Sequence, residues 1–506
     1  MNKRIVLHTV GWIMELEAIL LAAPLIVSLI YGESSSRNAF LIVMGITAAI
    51  GGLLLLWKPK VSNIYAREGF AIVALSWILM SLFGCLPFVI SGSIPHFVDA
   101  FFETVSGFTT TGASILTDVE ALDRSMLFWR SFTHWVGGMG VLVFVMVILP
   151  LGGGSSMHLL RAESPGPVSG KLVPKMHGTA RILYGIYLAM TLLLVVILWC
   201  GGMPIYDCLI NAFGTAGTGG FSNWGASIGH YNREFFEVVI GVFMLLFGVN
   251  FNLYYLLLMR KVKQVFKSEE LKVYLGIVVF AVVTIALNIH HLYQSFHEAL
   301  RYSFFQVSTI LTTTGFATTD FNQWPQYAKT ILVLLMLIGA CAGSTAGGLK
   351  ISRVILLVKA ARRGVKKMIH SRSMEVVNFE HKAVEEETVR NCSVYLCIYC
   401  LLAILSVVLI SLDDFSFETN VTGTIACLNN IGPGLDLVGP VGNYAMYSWF
   451  SKLVLSFDML AGRLELFPLL ILFLPGIWRR GPHSRHGHGK HLSLPKMHTL
   501  QKKAVR

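Results

Sequence analysis

Charged side chains are scarce in this sequence, and their scarcity argues against an ordinary soluble protein. They make up 13% of the 506 residues, against about 25% in typical globular domains, while 54% of the residues are hydrophobic. The net charge of +12 would suit nucleic-acid binding in a soluble protein. Here, however, the basic residues lie mostly between apolar stretches, as they do in the cytoplasmic loops of membrane proteins. The composition therefore predicts a protein of the lipid bilayer without a nucleic-acid partner.

Metal-binding and catalytic patterns are also missing. The eight cysteines show no zinc spacing, and Cys397 and Cys400 lie in an apolar stretch, where two buried thiols are favoured over a redox pair. No serine, histidine and carboxylate grouping of the kind used in nucleophilic catalysis is evident. The histidines of the basic C-terminal tail favour a disordered segment over a metal site; they are His483, His486, His488 and His491. We therefore expect neither an enzyme nor a bound organic cofactor.

What the sequence does contain is a repeat built around threonine- and glycine-rich loops. The stretch from Phe305 has helical character as far as Leu311 and then changes to Thr312-Thr-Thr-Gly315. Comparable loops end at Gly112, Gly220 and Gly432. Together with Gly315, these four glycines are separated by 108, 95 and 117 residues in chain order. Each loop lies between two apolar stretches long enough to span a bilayer. The loop segment is too short to cross and return, so it must dip in and come back within protein.

The pattern predicts an all-α polytopic membrane protein. Four pseudo-symmetric repeats, each with an outer helix, a re-entrant pore loop and an inner helix, would surround one pore. Two further apolar spans precede them and predict an N-terminal hairpin, because Glu15 and Glu17 interrupt what would otherwise resemble a cleaved signal peptide. The predicted segments are the hairpin at 1–62, the four repeats at 63–160, 161–268, 269–375 and 376–480, and the basic tail at 481–506.

The distribution of basic residues predicts the orientation. Basic clusters follow the second helix and all four inner helices. The positive-inside rule places these clusters, and with them both termini, in the cytoplasm. The four loops would then all enter the membrane from its outer face.

The loops offer the groups that a dehydrated cation requires. Glycine frees the backbone to adopt left-handed angles, and carbonyl oxygens that face one axis can replace the water shell of the ion. The candidate filter residues are Thr110, Thr111, Gly112, Gly219, Gly220, Thr314, Gly315, Asn430, Ile431 and Gly432.

Acidic residues flank the loops and would concentrate cations at an outer mouth; the alternative is that the loops are acidic by chance. Those before the glycines are Asp99, Glu103, Asp207, Glu298, Asp413, Asp414 and Glu418, and those after them are Asp118, Asp320 and Asp436.

A second unusual stretch lies midway through the third inner helix. Gly339–Gly348 contains four glycines, each of which costs about 1 kcal/mol in a helix interior, so the helix is predicted to break deep in the membrane. The stretch approaches a phosphate-binding loop, but Leu349 intervenes and Ile351 replaces the required serine or threonine. A flexible constriction is favoured over a seam of small residues for helix packing. The candidate gate residues here are Gly339, Gly343, Ser344, Thr345, Gly347, Gly348 and Lys350.

Arg463 is the remaining candidate gate residue, within the fourth inner helix. A charge in that position usually faces a bundle interior or a water-filled cavity. It would act as a barrier to cations, or it would form a structural pair with Asp458 or Glu465, and the two interpretations are compatible. Lys452, nearer the outer end of the helix, is predicted to extend its amine to the interface.

Together these features resemble the Trk/Ktr/HKT family of potassium transporters, and most closely its TrkH branch. Besides the loops and the hairpin, the stretches that carry the resemblance are Trp135–Gly140, Ala162–Pro167, Gly339–Lys350, Gly462–Glu465 and Trp478–Arg480. The fourth loop departs most from the pattern, because Asn429-Asn-Ile-Gly432 has no threonine.

The resemblance implies one filter glycine in each loop and passage of potassium and rubidium. In that family a serine in the first loop accompanies sodium transport, and this chain has Gly112 there. It implies an intramembrane gating loop at Gly339–Gly348, faced by Arg463. It also implies a homodimer in the bacterial inner membrane and a cytoplasmic, nucleotide-binding, TrkA-like regulator. Symport of potassium with protons or sodium is the alternative, because broken helices at the membrane midplane suit transporters as well.

Overall fold

A computed structural model describes residues 2–59, 66–140, 176–370 and 376–473. In these ranges the chain is almost entirely helical. The described strands are Asn378–Phe379 and Lys382–Ala383, which pair antiparallel in a small hairpin. The predicted all-α class is confirmed, and this short hairpin was not predicted. The resemblance stretches Ala162–Pro167 and Trp478–Arg480, and the tail 481–506, lie outside the described residues.

The N-terminal hairpin forms as predicted. Its first arm consists of helices Lys3–Leu20 and Ala22–Tyr31, and its second arm is helix Ser34–Leu55. The arms approach closely because Gly51 has no side chain: a Cβ there would lie 3.1 Å from the carbonyl oxygen of Gly11. The turn between the arms is fastened to the first repeat, since the carboxylate of Glu33 accepts hydrogen bonds from the backbone N–H groups of Arg124 at 2.8 Å and Ser125 at 3.0 Å.

Each repeat contains the three predicted helices. The outer helices are Ala66–Gly84 with Leu86–Ser91, Met176–Cys200, Glu269–Ile289 and Glu386–Ile410. The short helices before the loops, called pore helices below, are Phe97–Phe108, Ile205–Gly217, Phe296–Leu311 and Phe417–Leu428. The inner helices are Arg124–Gly138, Glu234–Phe247, Gln326–Ile338 and Trp449–Arg463. The remaining helices follow the last three inner helices; they are Phe251–Leu258, Val262–Lys267, Ile351–Ile369 and Phe467–Leu472.

The pore helices are buried within the bundle, whereas the outer helices face outward. Phe102, Phe108 and Phe305 on the pore helices are fully buried. The outer helices expose large apolar residues such as Leu192 and Phe280, as expected for contact with lipid. Cys397 and Cys400 lie on such a helix and are exposed, so the expectation that these thiols are buried is wrong.

Six described helical segments are long and apolar enough to cross a membrane. They are Lys3–Tyr31, Ser34–Leu55, Arg67–Ser91, Arg181–Cys200, Glu269–Leu292 and Glu386–Asp413. All of them belong to the hairpin or to the outer helices.

The inner helices are interrupted, and more often than the sequence predicted. The third breaks between Ile338 and Ile351, as expected. No break was predicted in the second, but it bends by 90° between Phe247 and Phe251. None was predicted in the fourth either, but its main part ends at Arg463 and is followed by left-handed residues. Those residues are Glu465 and Leu466. Each interruption exposes backbone groups that need new partners inside the bundle.

Candidate functional site

The four loops after the pore helices share one backbone conformation. In each loop the glycine has a positive φ, between 76° and 96°, and so does the residue two positions before it, with φ of 55° or 56°. The pairs are Thr110 and Gly112, Thr218 and Gly220, Thr313 and Gly315, and Asn430 and Gly432. Alternating left-handed residues let successive peptide groups turn toward the same side, the arrangement used in carbonyl-lined ion sites.

The four glycines close a ring in which each loop touches the next. A Cβ on Gly112 would collide with the carbonyl oxygen of Gly219, and a Cβ on Gly220 with that of Thr314. In the same way, a Cβ on Gly315 would collide with the carbonyl oxygen of Ile431. The ring closes because a Cβ on Gly432 would lie 2.7 Å from the carbonyl oxygen of Thr111. The structure therefore brings the candidate filter residues together around one centre, and glycine is required by space as well as by φ.

Different side-chain hydrogen bonds stabilise the individual loops. In the first loop the hydroxyls of Thr109 and Thr111 lie 2.8 Å apart, and in the third loop those of Thr312 and Thr314 lie at the same distance. The fourth loop lacks threonine. There the side-chain amide of Asn430 donates to the hydroxyl of Thr111 and to the carbonyl of Met459, both at 2.9 Å. The fourth loop is thus held by hydrogen bonds from a side-chain amide and not by a pair of hydroxyls.

The second loop rests on His134, which sequence reasoning missed. Its Nε2 accepts a hydrogen bond from the backbone N–H of Phe221 at 3.2 Å, and its Nδ1 lies 2.7 Å from the carbonyl oxygen of Gly107. The imidazole fills the space where a side chain on Gly219 would lie. An imidazole within an apolar inner helix was the available signal, since a buried polar ring needs hydrogen-bond partners.

A cavity of about 140 Å³ lies next to the ring. The four loop glycines line it, together with Arg130 and Tyr444. The Arg130 guanidinium is bound to the carboxylate of Glu103 at 2.5 Å and donates to the carbonyl oxygen of Ser222 at 3.1 Å. Arg130 thereby ties the first pore helix to the second loop.

The acidic residues near the loops mostly have structural partners. Glu103 is bound to Arg130, and Asp207 accepts hydrogen bonds from Asn223 and Tyr231, both at 2.8 Å. Asp99, Asp207, Glu298 and Glu418 each lie in the first turn of a pore helix, where negative charge stabilises the helix dipole. Glu103 and Asp207 therefore do not concentrate cations at the mouth of a pore, because both carboxylates are buried and hydrogen-bonded to other side chains.

Lys452 does not extend to the membrane interface as predicted. It is 6% exposed, and its amine lies 2.6 Å from the carboxylate of Asp99. This ion pair joins the fourth inner helix to the first pore helix, which explains why both charges are tolerated inside the bundle.

The loop of residues 339–350, called the intramembrane loop below, lies against the base of the ring. The backbone N–H of Gly347 donates to the side-chain hydroxyl of Thr313 at 2.7 Å. A Cβ on Gly347 would collide with the carbonyl oxygen of Asn429. The loop therefore touches the third and fourth candidate filter loops directly.

The break in the second inner helix receives the intramembrane loop. The N–H of Cys341 donates to the carbonyl of Gly248 at 3.1 Å, and the N–H of Phe251 donates to the carbonyl of Gly343 at 3.0 Å. The hydroxyl of Thr345 donates to the carbonyl of Phe247 at 3.3 Å. Two interrupted helices thus satisfy one another's free backbone groups.

Glu270 holds the same loop from its outer side. One carboxylate oxygen accepts hydrogen bonds from the N–H groups of Ala342 at 2.8 Å and Ser352 at 3.2 Å, and the residue is 5% exposed. Its position in the sequence, in the first turn of an outer helix, indicates only a favourable helix-dipole charge. The sequence therefore gave no sign of this role.

Arg463 lies across from the intramembrane loop. Its guanidinium donates to the carbonyl oxygen of Thr345 at 2.8 Å and to that of Gly138 at 2.7 Å, so it joins the end of the fourth inner helix to the loop and to the end of the first. Of its two proposed acidic partners, Asp458 accepts from Ser406 at 2.7 Å and Glu465 forms an ion pair with Arg353.

Two further candidate gate residues make contacts inside the loop itself. The amine of Lys350 donates to the carbonyl of Ala346, and Lys350 is 8% exposed. The hydroxyl of Ser344 donates to the carbonyl of Cys341 at 2.6 Å. The structure therefore places one basic side chain, that of Lys350, within the intramembrane loop and a second, that of Arg463, against it.

Comparison with known proteins gives consistent matches along nearly the whole chain. A family model described as TrkH, cation transport protein, matches residues 36–479. The chain is 37% identical to the Trk system potassium uptake protein TrkH of Salmonella typhimurium over 491 residues, which are 95% of this chain and 100% of that protein. It is 32% identical to TrkG of Escherichia coli, over 94% of this chain and 99% of that protein.

A solved structure matches equally fully. The crystal structure of the potassium transporter TrkH from Vibrio parahaemolyticus has a TM-score of 0.84 and 31% sequence identity, and the match covers 95% of this chain and 100% of that one. These relatives are transport proteins and not enzymes, so the expectation that this chain is not an enzyme is confirmed. The repeats, the hairpin and these matches agree: the chain belongs to the TrkH family of cation transport proteins.

Proposed function

We propose that this chain mediates potassium uptake across the bacterial inner membrane as a Trk-type transporter, with the ring of four loops as its selectivity filter. The observation that carries the proposal is the closure of the ring, in which each glycine lies against a carbonyl oxygen of the next loop. Carbonyl rings of this kind replace the hydration shell of potassium. The relatives are named as potassium uptake proteins, which supports the same cargo. Rubidium, with similar size and charge, would follow the same path.

The intramembrane loop and Arg463 form the gate of this pathway. The loop lies under the ring, where Gly347 contacts both Thr313 and Asn429. A guanidinium beside the pathway repels a passing cation, by about 4 kcal/mol at 4 Å in an effective dielectric of 20. Opening therefore requires the loop to leave the ring and the hydrogen bond from Arg463 to Thr345 to break.

The regulator acts from the cytoplasmic side. Helix Ile351–Ile369 continues directly from the intramembrane loop, and its C-terminal half is strongly basic. The positive-inside rule places this half, and both chain termini, in the cytoplasm. A nucleotide-binding, TrkA-like partner that pulls on this helix would move the intramembrane loop. A homodimer would present two such helices to one partner.

The test of the filter is rubidium uptake into proteoliposomes that contain the purified chain and an internal potassium load, with sodium as competitor. We expect uptake that potassium inhibits and sodium does not. In Gly112→Ser, where the new side chain would displace the carbonyl of Gly219, we expect sodium to compete. Gly276→Ser is the matched control, because nothing lies within 4 Å of a Cβ at that position. Unchanged selectivity in Gly112→Ser would contradict the filter assignment.

A closed gate would prevent rubidium uptake, so the assay is repeated with a variant that lacks residues 343–348. Uptake that appears only in the deletion variant supports a gated pathway. If neither protein transports rubidium although both elute as folded particles, the proposed function is wrong.

Potassium symport with protons is the second candidate, and Asp458 is the observation that favours it. This carboxyl is fully buried in the fourth inner helix. One oxygen accepts from Ser406, and the other has no hydrogen-bond partner among the described residues. Buried acids of this kind serve as proton sites in transporters. A current that follows the potassium gradient alone, at every pH, would exclude coupling.

A further inference from the structure

The carbonyl oxygen of Gly432 is bonded in a way that sets the fourth loop apart. The hydroxyl of Tyr444 donates to it at 2.7 Å. Among the described residues, no hydrogen bond is recorded to the carbonyl oxygens of Gly112, Gly220 or Gly315. Tyr444 also lines the cavity next to the ring, with these four glycines. One of the four equivalent filter positions therefore has its carbonyl engaged by the protein.

The position of Tyr444 is itself fixed by the first repeat. Its backbone N–H donates to the carbonyl oxygen of Ser114 at 2.8 Å. Its ring lies 5.6 Å from that of Phe102 and 6.1 Å from that of Tyr447, and the residue is 2% exposed. The packed ring keeps the hydroxyl oxygen in one place, so its hydrogen bond restricts the orientation of the acceptor carbonyl.

We propose that Tyr444 is a positioning residue that fixes the Gly432 carbonyl and thereby sets the potassium-over-sodium selectivity of the outer end of the filter. The proposal rests on the proposed function of the ring. A carbonyl that accepts a hydrogen bond has one lone pair occupied and cannot tilt freely toward an ion. Three carbonyls then adapt to the ion while the fourth keeps the ring at the wider size that suits potassium.

Loss of the hydroxyl would release this constraint. The lone pair of the Gly432 carbonyl oxygen that accepts from Tyr444 would become available to an ion, and the carbonyl could tilt inward. Carbonyl number, field strength and freedom of movement decide between potassium and sodium in such sites. The released ring can contract around the smaller sodium ion, so we expect weaker discrimination and not a loss of potassium binding.

The variant that tests this is Tyr444→Phe, since the phenyl ring keeps its packing against Phe102. Tyr447→Phe is the matched control: that hydroxyl donates to the side chain of Asn420 at 2.9 Å and not to a filter carbonyl. Potassium and sodium affinities of the purified full-length proteins are measured by calorimetry, which does not require an open gate. We expect the affinity ratio to fall by about fivefold in Tyr444→Phe, the size of one net hydrogen bond, and to be unchanged in Tyr447→Phe.

Gly112→Ser, measured alongside, separates failure of this inference from failure of the filter assignment. If Gly112→Ser changes the affinity ratio and Tyr444→Phe does not, the filter stands and the role of Tyr444 is overturned. If neither changes it, both are overturned. An equal change in Tyr444→Phe and Tyr447→Phe would indicate a general disturbance of the aromatic cluster and would also overturn the proposal. Matching melting temperatures confirm that the variants are folded.

Discussion

The backbone N–H of Gly347 donates a 2.7 Å hydrogen bond to the side-chain hydroxyl of Thr313. Thr313 is the first of the two left-handed residues in the third candidate filter loop, with φ of 56°, and Gly347 belongs to the intramembrane loop. The proposed gate and the proposed filter are therefore neighbours in direct contact. Displacement of the loop must either break this bond or pull on the filter, so the two elements are mechanically coupled.

Thr313→Val should loosen the closed state. The substitution removes the acceptor and leaves the buried N–H of Gly347 without its partner, at a cost of about 1–3 kcal/mol. We expect rubidium uptake by the chain alone to rise. Thr313→Ser retains the hydroxyl and should resemble the original protein. Equal uptake in the serine and valine variants would show that the bond does not hold the loop.

Arg463→Ala should also raise basal uptake, because it removes both the positive charge and the hydrogen bonds to Thr345 and Gly138. Arg463→Lys separates the two effects, since lysine keeps the charge but lacks the forked donor geometry of arginine. If charge is the barrier, the lysine variant stays closed; if the hydrogen bonds hold the loop, it leaks like the alanine variant. A lower flux in a folded alanine variant would contradict the gate assignment.

Glu270→Gln should weaken the attachment of the intramembrane loop. The charged oxygen that accepts from Ala342 and Ser352 becomes neutral, and hydrogen bonds to charged groups contribute about 1.5–3 kcal/mol. We expect a lower melting temperature and a higher basal flux.

The adjacent Glu269→Gln is the control for this variant. Glu269 pairs with Lys359, and both side chains are about one-third exposed, at 32% and 33%. Partly exposed pairs contribute about 0–1 kcal/mol. A melting temperature that falls equally in both variants would mean that Glu270 has no special role in holding the loop.

Asp436, in the segment that follows the fourth loop, should make stability depend on pH. Hydrogen bonds from the hydroxyls of Ser416 and Thr419 lower the pKa of its carboxyl below the usual value. A lowered folded-state pKa stabilises the fold above the unfolded pKa of about 3.9, and this contribution is lost as the pH falls through the folded-state pKa.

The corresponding variant is Asp436→Asn. It should melt at a lower temperature than the original protein near neutral pH, and the difference should shrink as the pH falls below about 4. The measurement is thermal unfolding of both proteins across this range. A difference that is the same at every pH would show that the carboxylate charge does not contribute.

Sequence reasoning located the elements well where periodic composition or repeated residues determined them. The threonine-glycine repeats led to the four loops, and the glycines at 339–348 led to the break in the third inner helix. The break at Gly248 had no comparable signal, because it forms to receive the backbone of the intramembrane loop. His134 and Tyr444 were missed for a similar reason: their roles depend on contacts between repeats, and local sequence carries no information on those partners.

The single chain also changes what charge a pore can tolerate. In a pore built from four identical subunits, an arginine at the end of one inner helix would occur four times around the axis, and the four guanidinium groups would repel one another. Here the end of the fourth inner helix carries Arg463, and this one side chain reaches carbonyls at Thr345 and Gly138 in two other repeats. Because the four repeats are unlike parts of one chain, a single arginine can connect three of them, whereas exact fourfold symmetry would place four such arginines at the axis.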